Sequence, residues 1–186
     1  CIMAKYRSCE NSKAGDGLKP LGKPLKVRHA SRDEASIVLA LWQMSARWLN
    51  AKGSNQWRPE YFELDQVLAF MTNGSDVYVA EHEGTIVGTY VLTWSDPTIW
   101  RELDHNDAGY IHRFAVNRDY KGLGIGSLLI QSAMEEIRLR GRKVVRLDCM
   151  ADNPRLNQYY RDLGFEFVRR LELGNNWAAN LYETVL

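Results

Sequence analysis

The sequence is poor in cysteine. Among 186 residues only Cys1, Cys9 and Cys149 occur, an odd number with two members in a polar tail, which excludes a disulfide framework. No CxxC pair and no HExxH stretch is present, and His29, His82, His105 and His112 are scattered. No metal is therefore expected. Apolar runs of the roughly 18 residues needed to span a bilayer are missing. The first residues also lack the apolar core of a signal peptide, so a cytoplasmic protein without a membrane partner is expected. Charge of one sign is lacking too. Lys plus Arg number 24 against 23 for Asp plus Glu, which removes the concentrated basic surface that nucleic acid requires.

What is present begins at residue 25. Residues 1–24 are rich in Lys, Gly, Ser and Pro without apolar periodicity and read as a flexible arm. Residues 25–186 carry the regular pattern of a single domain. Leu25 to His29 is a strand candidate. Ser31 opens a helix, with Glu34 completing a capping box. The pairs Ile37/Val38, Leu41/Trp42 and Trp48/Leu49 then recur at helical spacing until Gly53. A second helix is expected from Pro59 to Met71. Strands at Asp76 to His82 and Thr85 to Trp94 flank a tight Glu83-Gly84 turn, and a polar loop leads to a strand from Tyr110 to Val116. A helix from Gly124 to Arg140, a strand from Val144 to Cys149, a short helix from Pro154 to Asp162 and two strands, Phe165 to Leu171 and Trp177 to Val185, complete the chain. The order β-α-α-β-β-β-α-β-α-β-β predicts an α/β (α+β) fold with a mixed central sheet flanked by helices.

The most informative stretch is Lys121-Gly122-Leu123-Gly124-Ile125-Gly126-Ser127, between a strand and a helix. Glycines there let a ligand approach the backbone closely. The helix adds unpaired N–H groups and the positive end of its dipole. Together they suit an anionic group such as a pyrophosphate, with Arg118 and Lys121 as cationic neighbours. The dinucleotide fingerprint GxGxxG fails, although Asp148 stands near the place of a ribose-binding acid. Its third glycine would be Ser127, and five residues separate Val116 from Gly122. A GxxxxGK[ST] loop is absent.

The stretch resembles the acetyl-coenzyme A site of the GCN5-related N-acetyltransferase (GNAT) family, R/Q-x-x-G-x-G/A, with Lys121 standing where Arg or Gln is usual. A second family signature, N-x-x-A-x-x-x-Y-x-x-x-G-F, is matched by Asn153, Tyr160, Gly164 and Phe165, with Leu156 replacing the alanine. The resemblance runs most clearly from Tyr110 to Phe165 and implies a mostly antiparallel sheet. It also implies a direct acetyl transfer from acetyl-coenzyme A to a primary amine in a ternary complex. The pyrophosphate would lie on the Lys121 to Ser127 turn, with Asn153 nearby, and the pantetheine would pair with Phe114, Ala115 and Val116. One strand amide would serve as the oxyanion donor. Tyr160 would protonate the departing thiolate, although its helical spacing with Leu156 and Leu163 equally fits a packed core tyrosine.

In "YIHRFAV", strand alternation places Tyr110, His112, Phe114 and Val116 on one face and Ile111, Arg113 and Ala115 on the other. An imidazole titrates near neutrality, so His112 is the candidate base for the incoming amine. Half-buried strand packing, a water molecule, or Asp104, His105 and Asp107 of the preceding loop remain alternatives. Some family members use a glutamate where this chain has Tyr110, which makes Tyr110 a candidate at the acceptor. Trp94, at the end of a hairpin strand, is a further acceptor candidate, with Trp57 and Trp100 behind it. Acids between Glu102 and Asp107 favour a cationic acceptor. Cys149 reads as a small core residue. A homodimer is compatible with the resemblance. The alternative function is a non-catalytic coenzyme A-binding module of the same fold.

Overall fold

A computed structural model of the chain describes residues 24–54 and 57–186. The arm expected over residues 1–24 lies, Pro24 apart, outside the described residues. The elements are β1 (Lys26–His29), α1 (Ala35–Ala51), α2 (Leu64–Thr72), β2 (Asp76–His82), β3 (Thr85–Thr93), β4 (Ala108–Val116), α3 (Ile125–Leu139), β5 (Val144–Met150), α4 (Pro154–Asp162), β6 (Glu166–Gly174) and β7 (Trp177–Val185). Their order is the one the sequence pattern predicts.

Two helix boundaries differ, each for a local reason. The Ser31 N–H donates to Glu34 Oε2 at 2.8 Å, as the capping box requires. A 3₁₀ turn over Arg32–Glu34 nevertheless precedes α1. The helix expected from Pro59 is divided into a 3₁₀ turn, Pro59–Tyr61, and α2. Between them Phe62 is extended, at φ −100° and ψ 120°. Its ring packs 5.8 Å from Trp42 and 5.2 Å from Trp57. An aromatic anchor worth about 1.5–3 kcal/mol of burial outweighs one more helical turn.

The strands form one seven-stranded sheet in the order β1-β2-β3-β4-β5-β7-β6. Every neighbouring pair is antiparallel except β4 and β5. Period-2 alternation divides the side chains between two layers. From β2, Tyr78 and Ala80 join the core under α3 and α4, while Val77 and Val79 join the core under α1 and α2. A third core forms where the 95–107 loop covers the far half of the sheet. It gathers Trp100, Ala108, Tyr110, Leu171, Ala179 and Leu181.

Candidate functional site

The β4–β5 pair holds the key irregularity. The two strands are in register only at Ala108, Gly109 and Tyr110, and beyond Tyr110 they part. On its other side β4 also slips. Thr89 pairs with Ala115 but Val91 pairs with His112, so three steps of β4 oppose two of β3. Arg113 takes up the difference at φ 49°, a β-bulge that strengthens the local twist. The edge of β4 from Ile111 to Val116 therefore faces an open cleft of about 1290 Å³, with backbone groups that no neighbouring strand engages.

The bulge overturns the simple alternation expected for β4. Phe114 and Val116 pack with Ile111 on the α3/α4 side. Tyr110 and Ala115 join the cores of the opposite face. The Arg113 guanidinium lies 5.0 Å from the Phe62 ring centre and 5.7 Å from that of Trp42, and His112 Nε2 lies 3.3 Å from Asp96 Oδ2. His112 and Arg113 thus share the α1/α2 side, and His112 is separated from Phe114 rather than beside it.

At one end of the cleft stands the glycine turn. Gly124 caps α3 at φ 72°, a left-handed conformation that strains any residue with a Cβ. The first bond of the α3 ladder runs from the Leu128 N–H to the Gly124 carbonyl at 3.1 Å. The amides of Ile125, Gly126 and Ser127 precede it and point outward, as at any helix start. At Gly126 a Cβ would come within 2.7 Å of the Tyr159 hydroxyl, so a larger residue must displace that ring. Arg118, Lys121 and Arg155 add positive charge around this end. The Arg118 guanidinium stacks 3.8 Å over Trp48, which holds it in place.

The α4 side supplies the next wall. Asn153 caps α4 by accepting the Leu156 N–H at 3.1 Å. Asn157 donates to the carbonyls of Met150 (2.9 Å) and Asn153 (2.7 Å) and accepts from the Tyr182 hydroxyl at 2.8 Å. The start of α4 is thereby fixed to the end of β5 and the middle of β7. Tyr160, 6% exposed, packs against Phe165 and Tyr182 yet lines the cleft. Desolvation pushes its phenol far above the usual value, so it is held protonated at neutral pH. Cys149 also lines the cleft, and burial pushes its thiol up to about 12. It is protonated there and a poor nucleophile.

The α1/α2 side is polar. Asp96, 8% exposed, accepts the Ile99 N–H at 3.2 Å through Oδ1, and its Oδ2 has no hydrogen-bond donor. Asp148 alternates with Leu147 and Cys149 on β5 and so faces His112 and Arg113. Desolvation raises its carboxyl pKa, His112 and Arg113 oppose the rise, and Asp96 adds to it. Asp104 braces this group without touching the cleft. It accepts the Asp96 N–H at 3.0 Å and the Ser95 hydroxyl at 2.6 Å. Among the described residues no group of three or more His, Cys, Asp or Glu is placed to hold a metal ion.

The predicted residues are therefore only partly brought together. His112, Phe114, Ala115, Val116, Lys121, Gly122, Gly124, Ile125, Gly126, Ser127, Asn153 and Tyr160 line one cleft. Leu123 instead packs against the core under α3. Two acceptor candidates are misplaced. Trp94 lies outside the cleft, donating to Asp76 Oδ2 at 3.0 Å between the guanidinium groups of Arg140 and Arg142. Tyr110 is fully buried against Trp100, and its hydroxyl accepts from the His105 N–H and Arg146. Trp100 is likewise core, whereas Trp57 does line the cleft. The loop acids also lie away from the cleft. Glu102 pairs with Arg169, and Asp107 is exposed outside the cleft lining. Asp96, and Asp148 as a polar cleft residue, escaped the sequence reading. Strand alternation alone places Asp148 opposite the apolar Leu147 and Cys149.

A seam opened by a bulge, a glycine-capped helix and a buried tyrosine on its far wall define an acyl-transfer fold. The model of the acetyltransferase (GNAT) family matches residues 42–165. An uncharacterized N-acetyltransferase of Bacillus subtilis, YesJ, is 30% identical over 143 residues, covering 73% of this chain and 78% of that protein. A second, from Methanocaldococcus jannaschii, is 27% identical over 168 residues, covering 89% of this chain and 70% of that one. The crystal structure of a GNAT-family acetyltransferase from Listeria monocytogenes superposes with a TM-score of 0.72 at 26% identity, over 91% of this chain and 99% of that one. YncA of Salmonella typhimurium, solved with acetyl-CoA, shares the fold with a TM-score of 0.66 at 15% identity, over 88% and 94% of the two chains. The chain belongs to the acetyltransferase (GNAT) family, and its enzyme class is that of the N-acetyltransferases.

Proposed function

We propose that the cleft binds acetyl-coenzyme A across the glycine turn and the open edge of β4, and that it transfers the acetyl group to an amine arriving from the α1/α2 side. The observation that carries this reading is the β4–β5 seam. Its unpaired backbone edge, from Ile111 to Val116, lines the same cleft as Ile125 to Ser127 and Tyr160. The turn receives the pyrophosphate, and Arg118, Lys121 and Arg155 add charge around it. The β4 amides near Phe114 to Val116 hold the pantetheine and donate to the thioester oxygen.

In the transfer, His112 takes a proton from the ammonium, directly or through a water, with Asp96 beside its Nε2. The freed amine nitrogen bonds to the thioester carbon, the carbon–sulfur bond breaks, and Tyr160 gives its proton to the departing sulfur. The second proton on the nitrogen leaves through water, the Tyr160 phenolate takes one back, and His112 returns its own to solvent. Holding both reactants in one cleft supplies much of the rate.

The test is Tyr160→Phe. Calorimetry should show acetyl-coenzyme A binding kept within about threefold, while thiol release slows by about 10²–10⁴-fold. Unchanged turnover sinks the acid role. Tight binding by the wild-type chain without turnover on any amine favours the non-catalytic module instead.

A further inference from the structure

The α1/α2 side of the cleft carries charges of both signs, and two of them, Arg113 and Asp148, have no partner of their own. Among the described residues no hydrogen bond or ion pair engages the Arg113 guanidinium, which is held only by the faces of Phe62 and Trp42. Asp148 has no donor either, although it is close enough for each group to feel the other's charge. Asp96 lines the same cleft, with its Oδ2 buried 3.3 Å from His112 Nε2 and no hydrogen bond to it. Buried charges are ordinarily paired, because stripping water from an ion without replacing its partners is costly. Here Arg113 and Asp148 share a cleft without closing on each other. The bulge that places Arg113 there also holds it at a strained positive φ, of the kind that persists where the surroundings enforce it.

We infer that this face is an acceptor site for a dipolar amine, a free amino acid or a similar amino-carboxylate, whose carboxylate docks on Arg113 and whose ammonium docks between Asp148 and Asp96. The inference rests on the reading of the cleft as an acetyl-transfer site and names its acceptor. A guanidinium presents two parallel N–H donors that match a carboxylate. The two carboxylates then meet the ammonium on the side where His112 stands, ready to take its proton. A polyamine offers nothing to Arg113 and is repelled by it. A peptide N-terminus carries an uncharged amide where the carboxylate should be. Trp57 and Phe70 provide an apolar wall for the acceptor's side chain.

The experiment follows thiol release from acetyl-coenzyme A with four classes of acceptor: the standard L-amino acids, their carboxamides, spermidine, and a peptide with a free N-terminus. At least one free amino acid should be acetylated with kcat/KM about 100-fold above that of its carboxamide. Arg113→Met should lower kcat/KM for the amino acid by about 100-fold while leaving the carboxamide within about threefold. Arg113→Lys, which keeps the charge but loses the fork, should fall between, and so separates recognition from a folding defect. Preference for the carboxamide, spermidine or the peptide overturns the inference. So does acetyl-coenzyme A binding by calorimetry with no amino acid acetylated, which leaves the coenzyme reading intact. Absence of acetyl-coenzyme A binding overturns both.

Discussion

The two walls of the cleft solve opposite problems. The α3/α4 wall is built from backbone amides and apolar side chains, with Phe114, Val116, Leu147 and Tyr160 facing one core. Its positive charges stand around the glycine turn. The α1/α2 wall is built from charged side chains of separate elements: Asp96 from a loop, His112 and Arg113 from the β4 bulge, and Asp148 from β5. A coenzyme common to a family can be held by groups every residue possesses. An acceptor must be distinguished by side chains, and those come from wherever the fold delivers them.

The sharpest way to break the comparison is on the backbone wall. Gly126→Val places a Cβ where the Tyr159 hydroxyl already stands. Overpacking of that kind costs about 1–3 kcal/mol, and the branched side chain also screens the amides. Acetyl-coenzyme A affinity, read by calorimetry well below the variant's lowered melting temperature, should fall by about 100-fold. Affinity within about threefold of wild type would mean the turn is not the anion site.

A change on the side-chain wall should separate activity from stability. Desolvation raises the Asp148 pKa above its unfolded value, which is about 3.9 for an aspartate. The folded form thus holds its proton to higher pH than the unfolded form, and stability falls as pH rises from about 4 through the raised value. Asp148→Asn cannot ionise and escapes that loss. At pH 7 it should melt higher than wild type, by about 2–4 °C for each kcal/mol recovered, while amino-acid acetylation drops by about 100-fold. Melting curves that run parallel between pH 4 and 8 would show that the carboxylate carries no desolvation cost.

The smallest effect is expected at Lys121, the residue that departs from the family pattern. Its side chain is exposed, and an exposed ion pair is worth about 0–1 kcal/mol. Lys121→Ala should raise the KM for acetyl-coenzyme A by no more than about threefold. A rise of about thirtyfold would transfer the pyrophosphate from the backbone amides to this side chain.

The glycine turn, the capping box at Ser31 and Glu34 and the order of elements were legible in the sequence because each is a local matter. A glycine-rich turn before a helix, a Glu34 side chain reaching back to the Ser31 N–H, or a two-residue hairpin turn is specified within a few positions. Trp94 and Tyr110 were misread for the complementary reason. A tryptophan at a strand end and a tyrosine at a family position carry no mark of which neighbours will claim them. Arg140 and Arg142 claim one, Trp100 and Arg146 the other.

By itself the sequence determined the order of elements and the anion-suited glycine turn, since backbone conformation and hydrophobic period are short-range properties, and its two motifs carried the resemblance to the acetyltransferase (GNAT) family. Tertiary structure alone decided the acceptor wall. The bulge at Arg113 exists only because β4 slips against β3, and it moves Phe114 to one face while keeping His112 on the other. The meeting of Asp96, His112, Arg113 and Asp148 depends on β4 and β5 parting and on a distant loop folding over them. Contacts of that kind are set by packing across the sheet, not by spacing along the chain.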